Sequence, residues 1–485
     1  MGDSETNKQQ PAGHVCHRDK HCPDIFYFSG FDNTFESETV EGALPRGRNS
    51  PRKVPFGLYA EQLSGTAFTR PRHLNQRTWL YRKQPSAAFN KHTFVDTGKF
   101  FGKADPAKGT LDPNAMRWMP FETNEEYQDG DSQSDTNFMH GTFLLGASGD
   151  PAVKNGIAIY VYLCKTDMSP RDSDTSVTDS YMYNSDGDFL LLPQEGGLEV
   201  RTEMGILIVH PGEFCVIPRG IVFSINLLNK GKGKLSRGYM LEVFKGHLTL
   251  PELGPIGSNG LANTRDFLYP TAWSENEEKP TCNKTLYNKF SSKLWAKSIE
   301  TSPFNVVAWH GNYLPYKYDL SKFCAINSVT YDHIDPSIYT VMTCVGDETG
   351  TALCDFVIFP PRWMSTDPDT FRPPWFHRNC MTEFMGLIWG GYDAKKGFLP
   401  GGASLHSCMT PHGPDAASYD KAVADPCEQP TFFSQGLAFM FETTCMLRLT
   451  YYALNHKCRD TEYGFCWDGL PNWFGEGRRN SDDGD

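Results

Sequence analysis

The chain of 485 residues contains no apolar run of about 18 residues or more, which excludes a membrane-spanning helix. It has no excess of basic charge. Lys and Arg number 46 against 58 Asp and Glu, and the net charge of −12 argues against nucleic acid or an anionic membrane surface as a partner. The first residues, M-G-D-S-E-T-N-K-Q-Q, lack the apolar core of a secretory signal. The 14 cysteines are scattered and form no C-x-x-C pair, so reduced thiols and a cytoplasmic location are expected. C-H-R-D-K-H-C, Cys16 to Cys22, lies in a polar tail without matching ligands and is not read as a zinc site. Few stretches keep a helical period of 3.6, so helix is expected to be scarce.

What is present is a dense β pattern. Short runs rich in Val, Thr, Phe and Tyr alternate with Gly and Pro turns from Phe26 onward. F-M-H-G-T-F-L-L-G-A-S-G (Phe138 to Gly149) and G-I-A-I-Y-V-Y-L-C-K (Gly156 to Lys165) read as strands. Gly187 to Ile225 reads as several short strands of an antiparallel barrel or sandwich. Within it, P-G-E-F-C-V-I-P-R-G resembles the turn of a cupin half-barrel, but Phe223 stands where many cupins carry a metal histidine. Glu252 to Trp273 is expected to be a packed loop, and Ser291 to Lys297 with its flanks a helix. A-L-C-D-F-V-I-F-P-P-R-W (Ala352 to Trp363) and Gly436 to Thr450 read as strands of a second lobe. The expected division is a flexible extension over 1–24, an N-terminal β domain over 25–320, a C-terminal catalytic domain over 321–475 and a loose tail over 476–485. The fold class is mainly β and bicupin-like, with metal in the second lobe only. Leu58 to Thr69, a mixture of small and aromatic residues, is a candidate for the mouth of the pocket.

One stretch concentrates chemistry. From Phe371 it reads F-R-P-P-W-F-H-R-N-C-M-T-E-F-M-G-L-I-W-G-G-Y, followed by G-F-L-P-G-G-A-S-L-H-S-C-M-T-P-H-G-P-D. Imidazoles and a carboxylate in so apolar a run are costly to bury unless paired or metal-bound. His377, Glu383 and His412 make two imidazoles and one carboxylate, the set that holds non-haem Fe(II) with coordination positions open. Pro411 and Pro414 stiffen the loop around His412.

These residues carry a resemblance. Y-F-S-G-F-D-N, L-Y-A-E-Q-L-S-G-T-A-F-T, G-P-I-G-S-N-G-L-A-N-T-R-D-F, F-P-P-R-W, H-R-N-C-M-T-E-F-M-G-L-I and S-L-H-S-C-M-T-P-H-G-P-D together resemble the homogentisate 1,2-dioxygenase family from about Tyr27 to about Trp467. The resemblance implies an Fe(II) enzyme of tyrosine and phenylalanine breakdown that opens homogentisate with O2 to maleylacetoacetate. It implies His377, Glu383 and His412 as iron ligands, His333 in Y-D-H-I-D-P-S as acid/base, and Tyr392, His406 and His412 beside the substrate. It further implies a hexamer of two stacked trimers. Gly391, where many members carry a bulkier residue, and a shorter Gly397–Gly402 loop depart from the family pattern. Two other readings remain open on the residues. One is a paralogue that cleaves another 2,5-dihydroxy aromatic such as gentisate. The other is a metal-free bicupin scaffold or storage protein.

Overall fold

The computed structural model describes residues 16–485 except 90, 96–108, 122–135, 171–177, 229–234, 253–259, 276–283, 327–338, 349, 393, 473 and 475–485. The 229–234 insert, the tail beyond 475 and His333 therefore lie outside the described residues.

Strands dominate the regular structure, and most of them lie in three sheets. Asn155–Cys164 shows why the apolar runs become central strands. Nine of its residues are buried on both faces, between Thr142–Asp150 and Ser236–Val243. These three strands lie in a ten-stranded sheet. A seven-stranded sheet runs from Gly205–Val209 to Thr93–Val95. Phe223 begins a strand of that second sheet, is fully buried and meets Phe189 of the first sheet edge-on at 6.2 Å. The position where a cupin ligand would stand is thus filled by packed aromatic surface.

An eight-stranded sheet makes the second lobe. Its centre is the antiparallel run Thr340–Val345, Ala352–Phe359, Gly436–Thr443, Thr382–Gly390, Ala403–His406. Strands cross between the lobes in both directions. Met116–Trp118 pairs with the strand at Ala403, Leu248–Thr249 with the strand at Thr343, and Arg448–Leu449 joins the ten-stranded sheet at Gly146. Phe214 packs on Phe356 at 5.2 Å, and the Tyr239 hydroxyl donates to the carbonyl of Gly402 at 2.6 Å. One hydrophobic core therefore runs through both lobes. Among the described residues, no helix is long and apolar enough to cross a membrane.

Three expectations are corrected. Ser291–Lys297 is not helical: Lys284–Phe290 and Lys293–Ile299 form a hairpin. Its turn places Ser291 and Ser292 at φ 51° and 57°, and the Asp186 carboxylate accepts from both turn amides. The N-terminal segment is not loose through residue 24. Cys16–Arg18 pairs with Phe26–Ser29, and buried Asp19 accepts from Tyr27 and from Lys317, a buried cation that needs an anion. No residue of Leu58 to Thr69 lines the cavity beside His377, Glu383 and His412. Tyr59–Ser64 is an edge strand of a separate four-stranded sheet, held there by pairing with Arg77–Arg82.

Candidate metal centre

The centre is built on one face of three adjacent strands. Glu383 stands opposite His406 on one side and opposite Glu442 on the other, so the three polar side chains form a row across the sheet. All three are almost completely buried. His377 and His412 come from loops that clasp each other: the His377 amide donates to the His412 carbonyl at 2.9 Å, and the His412 amide donates back at 3.1 Å. The clasp brings the His377 and His412 rings to 4.2 Å, while His412 stacks flat on His406 at 4.0 Å.

The ligand atoms of His377, Glu383 and His412 lie within 4.8 Å of one another. His377 Nδ1 faces the Trp375 carbonyl at 2.8 Å and His412 Nδ1 faces the Thr410 carbonyl at 2.9 Å. A carbonyl only accepts, so each Nδ1 carries a hydrogen, and in the neutral ring Nε2 is left as a lone pair directed at Glu383. His412 Nε2 is 2.9 Å from Glu383 Oε2, and His377 Nε2 is 3.7 Å from Oε1. Two lone pairs against a carboxylate repel unless a cation or an added proton lies between them. The donor set therefore fits a divalent metal that accepts imidazole and carboxylate. Burial opposes ionisation of Glu383, but where Nε2 of His377 and of His412 carries that added proton, the hydrogen bonds to the carboxylate outweigh burial and hold its carboxyl well below the usual range.

The surroundings complete the site. Asn379 gives one amide hydrogen to Glu383 at 2.9 Å and the other to Glu442 at 2.6 Å. Burial first, and the Glu383 charge second, push Glu442 up to about 7. Burial drives His406 well below its ordinary value, so its ring is neutral. A cavity of about 520 Å³ opens onto the triad, walled by Phe359, Pro373, Pro374, Trp375, Tyr392 and Met440 among others. Tyr392 and His406 both line it. A Cβ at Gly391 would meet nothing within 4 Å, so the small residue beside Tyr392 is not required by packing.

Five of the six residues singled out in the sequence thus gather around one cavity. Sequence reasoning missed Glu442, Lys395 and Tyr463. Glu442 sits in an otherwise apolar strand, G-L-A-F-M-F-E-T, where a lone carboxylate is a signal of the same kind as Glu383. Lys395, in D-A-K-K-G, reads as a solvated turn and gives no such signal.

A β-rich chain with a two-histidine, one-carboxylate triad, buried but for the edge of His377, beside a cavity open to solvent defines the class: a candidate non-haem metal enzyme. Family models described as "Homogentisate 1,2-dioxygenase N-terminal" and "Homogentisate 1,2-dioxygenase C-terminal" match residues 26–320 and 321–474. The chain is 49% identical over 450 residues to "Homogentisate 1,2-dioxygenase" of Dictyostelium discoideum, covering 93% of this chain and 98% of that one. It is 48% identical over 464 residues to the protein of that name from Homo sapiens, covering 94% and 98%. For the Arabidopsis thaliana protein of that name the identity is 49% over 459 residues, covering 94% of each. The chain belongs to the homogentisate 1,2-dioxygenase family.

Proposed function

We propose that this protein is an Fe(II)-dependent dioxygenase that opens the ring of homogentisate with O2. Both oxygen atoms enter the product, maleylacetoacetate, and the ring bond broken joins the carbon bearing a hydroxyl to its neighbour bearing the acetate arm. The observation that carries this reading is the triad, two imidazoles and a carboxylate whose ligand atoms lie within 4.8 Å of one another at the cavity, in a chain of this family. Ferrous iron held there by His377, Glu383 and His412 would supply the electron exchange that a spin-paired ring and triplet O2 cannot perform directly.

The chain's own residues would do the rest. Trp375, Phe359 and the two prolines give the cavity apolar walls against which an aromatic ring would pack. The Tyr392 hydroxyl and the His406 ring would orient the aromatic substrate. His333 would take the phenolic proton, a task suited to imidazole near neutral pH. A hexamer in the cytoplasm is part of the same proposal and is supported by family membership.

The test is O2 uptake by anaerobically iron-loaded protein on homogentisate and on gentisate, with iron content measured beside it. Preference for homogentisate with one iron per chain supports the reading. Preference for gentisate makes the protein a paralogue, and no bound iron together with no uptake favours the scaffold.

A further inference from the structure

Lys395 is a buried amine with no carboxylate in contact, and burial pushes its ammonium down to about 7, so an anion beside it would be needed to hold the charge. Its side chain is only 8% exposed. Nζ lies 2.8 Å from His406 Nε2 and 2.5 Å from the Tyr463 hydroxyl, both neutral acceptors, and it faces the rings of Tyr463 and Trp467 at 5.3 and 5.8 Å. Among the described residues no carboxylate lies within ion-pair distance of it. Two equally buried lysines in the other lobe show what such a charge ordinarily has. Lys289 sits on Asp186 and Glu242 at 2.7 and 2.9 Å, and Lys317 on Asp19 and Glu213 at 3.2 and 3.4 Å. Neutral acceptors do not offset the desolvation of an ammonium.

Lys395 lines the cavity of the triad and also an adjoining cavity of about 530 Å³ that shares Arg372 and Tyr392 with it. We infer that Lys395 anchors the carboxylate of the substrate, an arylacetate, and that this contact selects acetate-bearing hydroquinones. The inference rests on the ring-cleaving reading above. An ammonium has three hydrogens; two are taken by His406 and Tyr463, and the third is left for a ligand. His406 bridges the two ends, with Nδ1 3.9 Å from Glu383 and Nε2 on Lys395. The acetate arm sits on the ring carbon next to the reacting hydroxyl, so a hydroxyl held at the triad brings the carboxylate within reach of Nζ. Two of the three arginines of the triad's cavity are otherwise engaged, and the third, Arg378, is exposed, unlike Lys395. Arg362 is packed among Tyr339, Phe359 and Phe433 with Nη1 on the Pro360 carbonyl, and Arg372 is turned to Thr431, Cys427 and Gln429.

The experiment compares homogentisate with 2,5-dihydroxytoluene, the same ring without the carboxylate. Binding of each to the anaerobic iron-loaded enzyme is measured by calorimetry, for wild type, Lys395→Met and Lys395→Gln. The glutamine variant keeps a hydrogen-bond donor for His406 and Tyr463 and guards against misfolding in the methionine variant. Loss of a charge-assisted hydrogen bond predicts roughly 10- to 100-fold weaker homogentisate binding, with the toluene analogue changed by no more than about 2-fold. Equal weakening of both ligands, or of neither, overturns the inference. Wild type that consumes no O2 with homogentisate instead overturns the reading on which it rests.

Discussion

The His377 amide and the His412 carbonyl are joined at 2.9 Å, and the reverse bond at 3.1 Å closes a two-residue bridge outside any sheet. This bridge, not either loop alone, sets the distance between the two imidazoles. Gly413 makes it possible: a Cβ there would stand 2.5 Å from Phe376 Cδ1 and 2.9 Å from Phe376 Cα. Gly413→Ala must therefore push the loops apart. Fe(II) titration should show affinity reduced by roughly 10-fold or more, the range for displaced ligand supports. Gly464→Ala, which meets nothing within 4 Å, should bind as wild type does. Equal affinity in both variants would contradict the role given to the bridge.

Asn379 holds Glu383 and Glu442 with the two hydrogens of one amide. Asn379→Ala leaves two buried carboxylates facing each other without a donor. Iron affinity or kcat should fall about 10- to 100-fold, as for other residues that orient a ligand. A chelator competition assay measures the first and O2 uptake the second.

His333→Phe should retain its iron while kcat falls roughly 10²- to 10⁴-fold, the usual contribution of a general base. Loss of iron together with activity would make His333 a support of the centre rather than a proton carrier.

Asp188 lies in the first lobe, fully buried, with His247 Nδ1 at 2.6 Å and Arg219 Nε at 3.0 Å. Burial pushes its carboxyl up, but His247 and Arg219 outweigh that and hold it down to about 2. The folded value is below the unfolded one near 3.9, so the stabilisation is complete above about pH 4 and is lost as pH falls through about 2. It amounts to about 2 kcal/mol. Denaturant unfolding of Asp188→Asn should show that deficit at pH 6 and a narrowing gap from pH 4 to pH 2. A gap independent of pH would contradict it.

Where sequence and structure agree, the residues say why. Asn155–Cys164 and Gly436–Thr443 are long apolar runs bounded by turn residues, and such runs become central strands whatever surrounds them. His377, Glu383 and His412 were legible because charge inside an apolar segment demands a partner. The Ser291–Lys297 hairpin was not legible, because the carboxylate that fixes its turn, Asp186, lies about a hundred residues away in the chain. Lys395 was hidden for a similar reason: Tyr463 and Trp467, which enclose it, come from a distant segment. The seam between the lobes was obscured too, since Met116–Trp118 completes the sheet that carries His406.

The central claim is that His377, Glu383 and His412 hold iron for the opening of a homogentisate ring. The most direct measurement is O2 consumed per homogentisate by anaerobically loaded protein, for wild type and for Glu383→Ala, with iron determined in the same samples. The account predicts one O2 per homogentisate and one iron per chain in wild type, and the loss of nearly all iron and turnover in the variant. Full turnover by Glu383→Ala, or iron retained at one per chain in it, would contradict the account.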